Sequence, residues 1–267
     1  MHPPELDHLE EWFIAYCRSF YTGDAEHDRN ISLKEQHSLR VRENAALLAG
    51  SSQLASADGR LIAAVALLHD VGRFEQYRRY GTFRDAESVN HGTLGARILR
   101  EQGVLDRLAA GERAAVLAGV ALHNALSVAP ALRPEALLLT RVVRDADKLD
   151  IWRVFLDFFS LPKQERASAA LLGFPERGRC TPATLESLRR GRMVRLSEVQ
   201  SVEDFQLLQL SWVFDLNYPA AAELFLERGI AAAYARLLPD DAEVTAALDA
   251  VRVHASVLAS AGERADC

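Results

Sequence analysis

The chain has 267 residues, 49% hydrophobic and 25% charged, a balance that fits a folded globular protein and excludes a disordered segment or a bundle of membrane spans. Its net charge of −6 excludes the overall basic excess on which non-specific nucleic-acid binding rests. The cysteines Cys17, Cys180 and Cys267 lie far apart with no Cys-x-x-Cys pair, so neither a disulfide framework nor a thiolate zinc site is expected.

Helical periodicity runs through nearly the whole chain, and strand-like alternation between turn signals is hard to find, which predicts an all-α fold. Helices are expected at roughly 5–20, 30–50, 58–71, 90–102, 107–126, 134–159, 182–190, 199–216, 218–228, 229–238 and 241–261. The start Met1-His2-Pro3-Pro4-Glu5 has no basic residue followed by an apolar stretch. The longest apolar runs, Leu61 to His69 and Ala136 to Thr140, are too short to span a bilayer. A cytoplasmic protein without membrane association is therefore expected.

Along this series of helices, six side chains stand at or beside apolar stretches. His37 lies in the helix at 30–50. The apolar run Ala63 to Leu68 ends in His69-Asp70, and burying that carboxylate unpaired costs several kcal/mol, a cost that a metal ion removes. His91 opens a helix as Asn90-His91-Gly92 after the loop Tyr80 to Asp85, His123 follows the apolar Val116 to Leu122, and Asp147 lies in the helix at 134–159. Imidazole nitrogen and carboxylate oxygen suit first-row divalent ions such as Mn, Fe, Co or Ni, and donors far apart in sequence can converge in a bundle. Four of the six could hold one ion, and all six could hold two. His2, His8, His27 and His254 lack such a setting and are read as surface residues.

The segment His69-Asp70-Val71-Gly72-Arg73-Phe74-Glu75-Gln76 resembles the signature of the HD-domain superfamily of metal-dependent phosphohydrolases. His37-Ser38-Leu39-Arg40-Val41 is similar to that family's first ligand helix and Arg144-Asp145-Ala146-Asp147-Lys148-Leu149-Asp150 to its last, so the resemblance covers residues 30–160 or so. It implies an HD-like helical bundle with additional C-terminal helices. His37, His69, Asp70 and Asp147 would form a one-metal set, and His91 and His123 resemble the extra histidines of two-metal members, with Asp70 bridging the ions. Asp145 lies nearly opposite Asp147 on the helix and is read as solvated or capping, whereas Asp150, close to the same face, is read as supporting the ligands or forming a salt bridge.

Arg40, Arg73, Arg78, Arg79, Arg144 and Lys148 flank these positions, and guanidinium or ammonium groups bind phosphate. Arg73, one helical turn beyond the His-Asp pair, and Lys148, beside Asp147, are the better placed; Arg78 and Arg79 are read as solvated or salt-bridged. The implied activity is hydrolysis of a phosphoester by a metal-activated water, with Asp70, Arg73 and Lys148 in the catalytic set. The implied substrate is a nucleotide or another small phosphorylated metabolite. The same superfamily also offers di-iron oxygenase chemistry, and a non-catalytic metabolite-binding protein is the third reading, against which the complete donor set argues.

The stretch Gly173-Phe174-Pro175-Glu176-Arg177-Gly178-Arg179-Cys180-Thr181-Pro182 is the best internal break and divides the expected domains into 1–172 and 173–267. The C-terminal third carries Leu207, Leu208, Leu210, Trp212, Val213, Phe214, Leu224, Phe225 and Leu226 with no His or acidic cluster at ligand spacing. It is read as an extension packing on the same core or supporting a homo-oligomer contact.

Overall fold

The computed structural model describes residues 3–51, 54, 57–129, 131–162 and 174–263, and among them every regular element is helical, with no strand. The all-α expectation holds. The described chain divides into two compact units, 3–150 and 151–162 with 174–263. The break read at 172/173 lies outside the described residues.

The first unit contains α1 (Pro3–Arg18), α2 (Ala25–Ala49), α3 (Gly59–Leu68), α4 (Val71–Tyr80), α5 (His91–Glu101), α6 (Ala110–Leu122) and most of α7 (Pro134–Ser160). At its centre is α3, opened by Asp58, whose carboxylate accepts the Arg60 N–H. Leu61, Ile62, Val65, Leu67 and Leu68 are all buried, as a helix apolar on every side requires. Each such burial is worth about 1.5–3 kcal/mol relative to exposure. Around it α2 and α1 pack on α3, α6 packs on α3, and α5 packs between α4 and α6.

One helix departs from the sequence expectation. The element expected at 58–71 ends at Leu68 with His69 as its C-cap, and Asp70 then starts a separate helix, α4, that had not been expected. Its ten residues, Val-Gly-Arg-Phe-Glu-Gln-Tyr-Arg-Arg-Tyr, are too short and too charged to show a convincing apolar stripe. Val71, Phe74 and Tyr77 nevertheless fall three apart and turn inward together.

Two glycines set how closely α4, α5 and α6 approach. A Cβ on Gly72 would collide with the His91 carbonyl oxygen and stand 2.7 Å from the Gly95 amide nitrogen. A Cβ on Gly92 would lie 2.9 Å from both the Val120 and Ala121 carbonyl oxygens. Only glycine lets these backbones meet, and the meeting points flank His91 and precede His123.

The second unit takes the end of α7 together with α8 (Pro182–Arg189), α9 (Val202–Ser211), α10 (Pro219–Glu227), α11 (Ile230–Ala235) and α12 (Ala242–Glu263). The helix expected at 199–216 closes early, giving way to a 3₁₀ turn at Trp212–Asp215. Trp152 lies edge-on to Phe225 with ring centroids 4.8 Å apart and donates its indole N–H to the Gln209 carbonyl at 2.8 Å. The Tyr234 hydroxyl donates to Gln209 Oε1 at 3.0 Å. In α12 the window Ala242–Gly262 has a mean hydropathy of 1.2 and, by length and composition, could cross a membrane. Glu243, Asp249 and Arg252 interrupt it, so no continuous apolar run reveals it in the sequence. Val244, Ala247, Leu248, Val251 and Ala255 bury one face of it at helical spacing.

Candidate metal centre

From His37 onward the buried positions of α2 recur every three or four residues through Val41, Asn44 and Leu48, so His37 is turned inward with the apolar stripe. His69 and Asp70 occupy the sharp α3–α4 junction, His91 is the first residue of α5, His123 caps the end of α6, and Asp147 lies on α7. The structure brings all six side chains together. Their donor atoms form three overlapping groups: His37, His69 and Asp70; His69, His123 and Asp147; and Asp70, His91 and His123.

Asp70 sits in the middle. Its Oδ2 lies 3.6 Å from His37 Nε2 and 3.6 Å from His69 Nε2, while its Oδ1 lies 3.3 Å from His91 Nε2 and 3.7 Å from His123 Nε2. Asp147 Oδ1 joins the first pair at 3.0 Å from His37 Nε2 and 3.8 Å from His69 Nε2. The Nε2 atoms of His37 and His69 are 3.3 Å apart, and those of His91 and His123 are 3.0 Å apart. Two donors each about 2.1 Å from one ion stand about 3.0–3.4 Å apart in octahedral or tetrahedral geometry, so these separations suit shared ions.

The outer nitrogens of the four rings are all engaged. His37 Nδ1 meets Asp150 Oδ2 at 2.7 Å, His69 Nδ1 meets the Ala66 carbonyl at 2.7 Å, His91 Nδ1 meets both Asp85 oxygens at 2.8 Å, and His123 Nδ1 meets the Val120 carbonyl at 2.8 Å. Carbonyl and carboxylate oxygens only accept, so each Nδ1 carries a proton, and on the neutral rings of His69 and His91 that leaves a lone pair on Nε2, turned inward. Burial, helped by the Arg73 charge, lowers the His91 pKa to about 3. Burial likewise lowers that of His69 to about 4, against the pull of Asp70 and Asp147. A neutral His91 whose one proton is spent on Asp85 has nothing to donate to His123 across 3.0 Å. Asp147 Oδ1 is buried and makes no hydrogen bond. Facing lone pairs and an unsatisfied carboxylate oxygen are relieved by cations, and the donor set fits divalent ions held by imidazole and carboxylate, with each ring braced from behind.

The acids are poised accordingly. Burial opposes ionisation of Asp70, yet Lys34, whose Nζ is 2.9 Å from Oδ2, together with the neighbouring imidazoles and Arg73 holds the carboxyl well below its ordinary range. Asp147 is also lowered, against burial, by His37. For His37, burial and Lys34 disfavour the proton, but flanking Asp147 and Asp150 prevail and its pKa is raised.

The remaining residues singled out by sequence take several positions. Asp150 is gripped by Arg40, whose Nε donates to Oδ1 at 2.6 Å and Nη2 to Oδ2 at 3.0 Å, so it braces His37 and forms a salt bridge together. Asp145, expected to be solvated or capping, is instead fully buried, with Lys148 Nζ 4.0 Å away; the same face of α7 that buries Ala146 and Leu149 carries it into the interior. Arg144 is buried and donates to the carbonyls of His123, at 3.0 Å, and Ala125, which fastens the end of α6. Arg78 and Arg79 are exposed and paired with Glu75. Arg73 lies beside the centre, its Nε 3.5 Å from Asp70 Oδ1, but its Nη1 donates to Asp85 at 2.9 Å, Gln76 at 2.9 Å and the Phe83 carbonyl.

Sequence reasoning did not single out Lys34, Gln76, Asp85 or Asn124. Asp85 is a hub that accepts from Arg73, from Gln76 at 2.9 Å, from Asn124 at 2.9 Å and from His91. Its only sequence signal was a place in the loop before His91. Lys34 stood one turn before His37 on the same helix face, a spacing that could have found it.

Residues 35–152 match the family model described as the HD domain, and this segment is an HD domain with a buried His/Asp cluster able to hold metal ions. No curated protein and no solved structure matched the chain.

Proposed function

We propose that this HD domain is a metal-dependent phosphohydrolase acting on a phosphoester of a small metabolite, with nucleotides among the candidate substrates. The observation that carries the reading is the placing of Asp70 between two imidazole pairs, one on each carboxylate oxygen, with every ring held from behind. When bound there, divalent cations would supply a water acidified for attack on phosphorus and charge to stabilise the phosphoryl oxygens.

The chain's own residues then have separate tasks. His37, His69 and Asp147 would hold one cation, His91 and His123 the other, and Asp70 would bridge them. Asp150, Asp85 and the Ala66 and Val120 carbonyls keep the imidazoles in the tautomer that presents Nε2. Half-buried Arg73, tied to Asp85 and Phe83, fixes the wall of the site beside Asp70 and adds positive charge where an anionic substrate would arrive. Lys148 lies further along α7 beside Asp145, and a substrate contact there rests on its charge alone.

The test is phosphate release from a panel of nucleotides and phosphorylated metabolites, without oxygen and with added Mn²⁺, using Asp70→Ala as the blank. Release that the variant lacks supports the reading. Turnover that requires oxygen in iron-loaded protein would overturn it in favour of oxygenase chemistry, and tight metabolite binding with no product would overturn it in favour of a sensor.

A further inference from the structure

Lys34 is the cation in direct contact with the bridging carboxylate. Its Nζ lies 2.9 Å from Asp70 Oδ2, and its side chain is 17% exposed, at the border between the buried cluster and solvent. The ammonium also stands over the Phe83 ring, 5.4 Å from the centroid, and the Arg73 guanidinium stands over the same ring at 6.0 Å. One aromatic ring thus steadies two cations beside one carboxylate.

The two cations are not equivalent. Nη1 of Arg73 is committed to three acceptors in the Asp85 loop, whereas the polar partner of Lys34 is Asp70 itself. Two further acids beside the centre have cations of their own, Asp150 in Arg40 and Asp85 in Arg73. Cations bound by the cluster would draw on Asp70 as a ligand and take over its charge, which leaves the Lys34 ammonium without an equal counter-charge. A lysine on a flexible four-carbon stem at a half-open position is suited to move to an incoming anion, as the planar, anchored guanidinium of Arg73 is not.

Resting on the phosphohydrolase reading, we propose that Lys34 is the residue that grips the substrate: its ammonium leaves Asp70 Oδ2 for a non-bridging oxygen of the scissile phosphoryl group, and Phe83 positions it for that contact. The metal-free protein keeps Lys34 as a placeholder cation on Asp70. Two consequences separate this role from a structural one. Removing the ammonium weakens phosphate binding but frees Asp70 for metal, whereas loss of a merely structural lysine would weaken metal binding along with stability.

The experiment is calorimetric titration of Mn²⁺, and then of inorganic phosphate into the Mn²⁺-loaded protein, for wild type, Lys34→Met and Lys34→Arg. For Lys34→Met, phosphate affinity should fall about 10- to 100-fold, the range of a lost hydrogen bond to a charged group, while Mn²⁺ stoichiometry is kept and Mn²⁺ affinity is equal or higher. Lys34→Arg should recover part of the phosphate affinity. Equal phosphate affinity in wild type and Lys34→Met overturns the role of Lys34 and leaves the hydrolase reading standing. Lost Mn²⁺ stoichiometry in Lys34→Met also overturns it, in favour of a structural lysine. Wild-type protein that binds Mn²⁺ but neither binds nor releases phosphate overturns the hydrolase reading and the proposal with it.

Discussion

Asp70 in the first unit and Asp204 in the second are both buried aspartates at the start of a helix, and their surroundings differ in kind. Asp204 accepts the Thr181 and Gln200 backbone N–H groups at 2.7 and 3.0 Å and the Thr181 and Thr184 hydroxyls at 3.1 and 2.9 Å. Neutral donors saturate it, and the result is a fastening between α8, α9 and the loop before them. Asp70 has the Lys34 ammonium, the Arg73 guanidinium 3.5 Å away and, around it, imidazoles of which the neutral His69 and His91 have no Nε2 proton to give. Burial of a carboxylate therefore says little about function by itself; what decides is whether its neighbours are donors or further acceptors.

The largest effect is expected at Asp70. Asp70→Ala should abolish Mn²⁺ binding, read by metal content after desalting, and with it any phosphate release, while helix content by circular dichroism stays close to wild type. Retained activity in that variant would mean that Asp70 is no more functional than Asp204. One step out, Asp85→Ala and Asp150→Ala remove the acceptors that orient His91 and His37. Each should weaken Mn²⁺ affinity about 10- to 100-fold without removing a ligand, measured by competition with a chelator.

On the other side, Asp204→Ala leaves four donors without their acceptor. It should destabilise the protein by about 1–3 kcal/mol, read as a lowered unfolding midpoint, with Mn²⁺ affinity unchanged. The smallest effect is expected at Glu203. Burial opposes ionisation there, but the backbone N–H groups of Arg177 and Gly178 reach its carboxylate and keep its pKa below the ordinary value. A carboxyl depressed in the folded state contributes stability in full above about pH 4.3 and loses it as pH falls through the folded value. The difference in unfolding midpoint between wild type and Glu203→Gln should thus be present at neutral pH and shrink on acidification.

The same contrast explains what the sequence disclosed. The six candidate metal donors could be picked out because imidazoles and carboxylates bordering long apolar runs are costly to bury, and few arrangements make that worthwhile. The helical class was legible for a similar reason, since the apolar spacing in α2, α3 and α6 repeats over several turns. Shorter signals failed. α4 turns only three large apolar side chains inward, Val71, Phe74 and Tyr77, and was missed, although it carries Arg73 and starts at Asp70. Asp145 and Asp150 are both acids on α7, and which is buried beside apolar neighbours and which meets Arg40 depends on the helices packed against them. Lys34 is a single polar residue whose partner Asp70 lies 36 positions away, and Asp85 gathers four partners from 6 to 39 positions away, in His91, Gln76, Arg73 and Asn124; nothing local marks such pairings.

The glycine contacts between α4, α5 and α6 bear on how relatives of this chain are to be read. Donor residues can be exchanged for others of like chemistry and are therefore what motif matching counts. Gly72 has no substitute, because each of the other nineteen amino acids brings at least a Cβ against the His91 carbonyl. A descendant that kept all six donors and acquired alanine at this position would still display the motif in full. It would carry His91 pushed away from Asp70, and a genome survey would score as intact a centre that had already been lost.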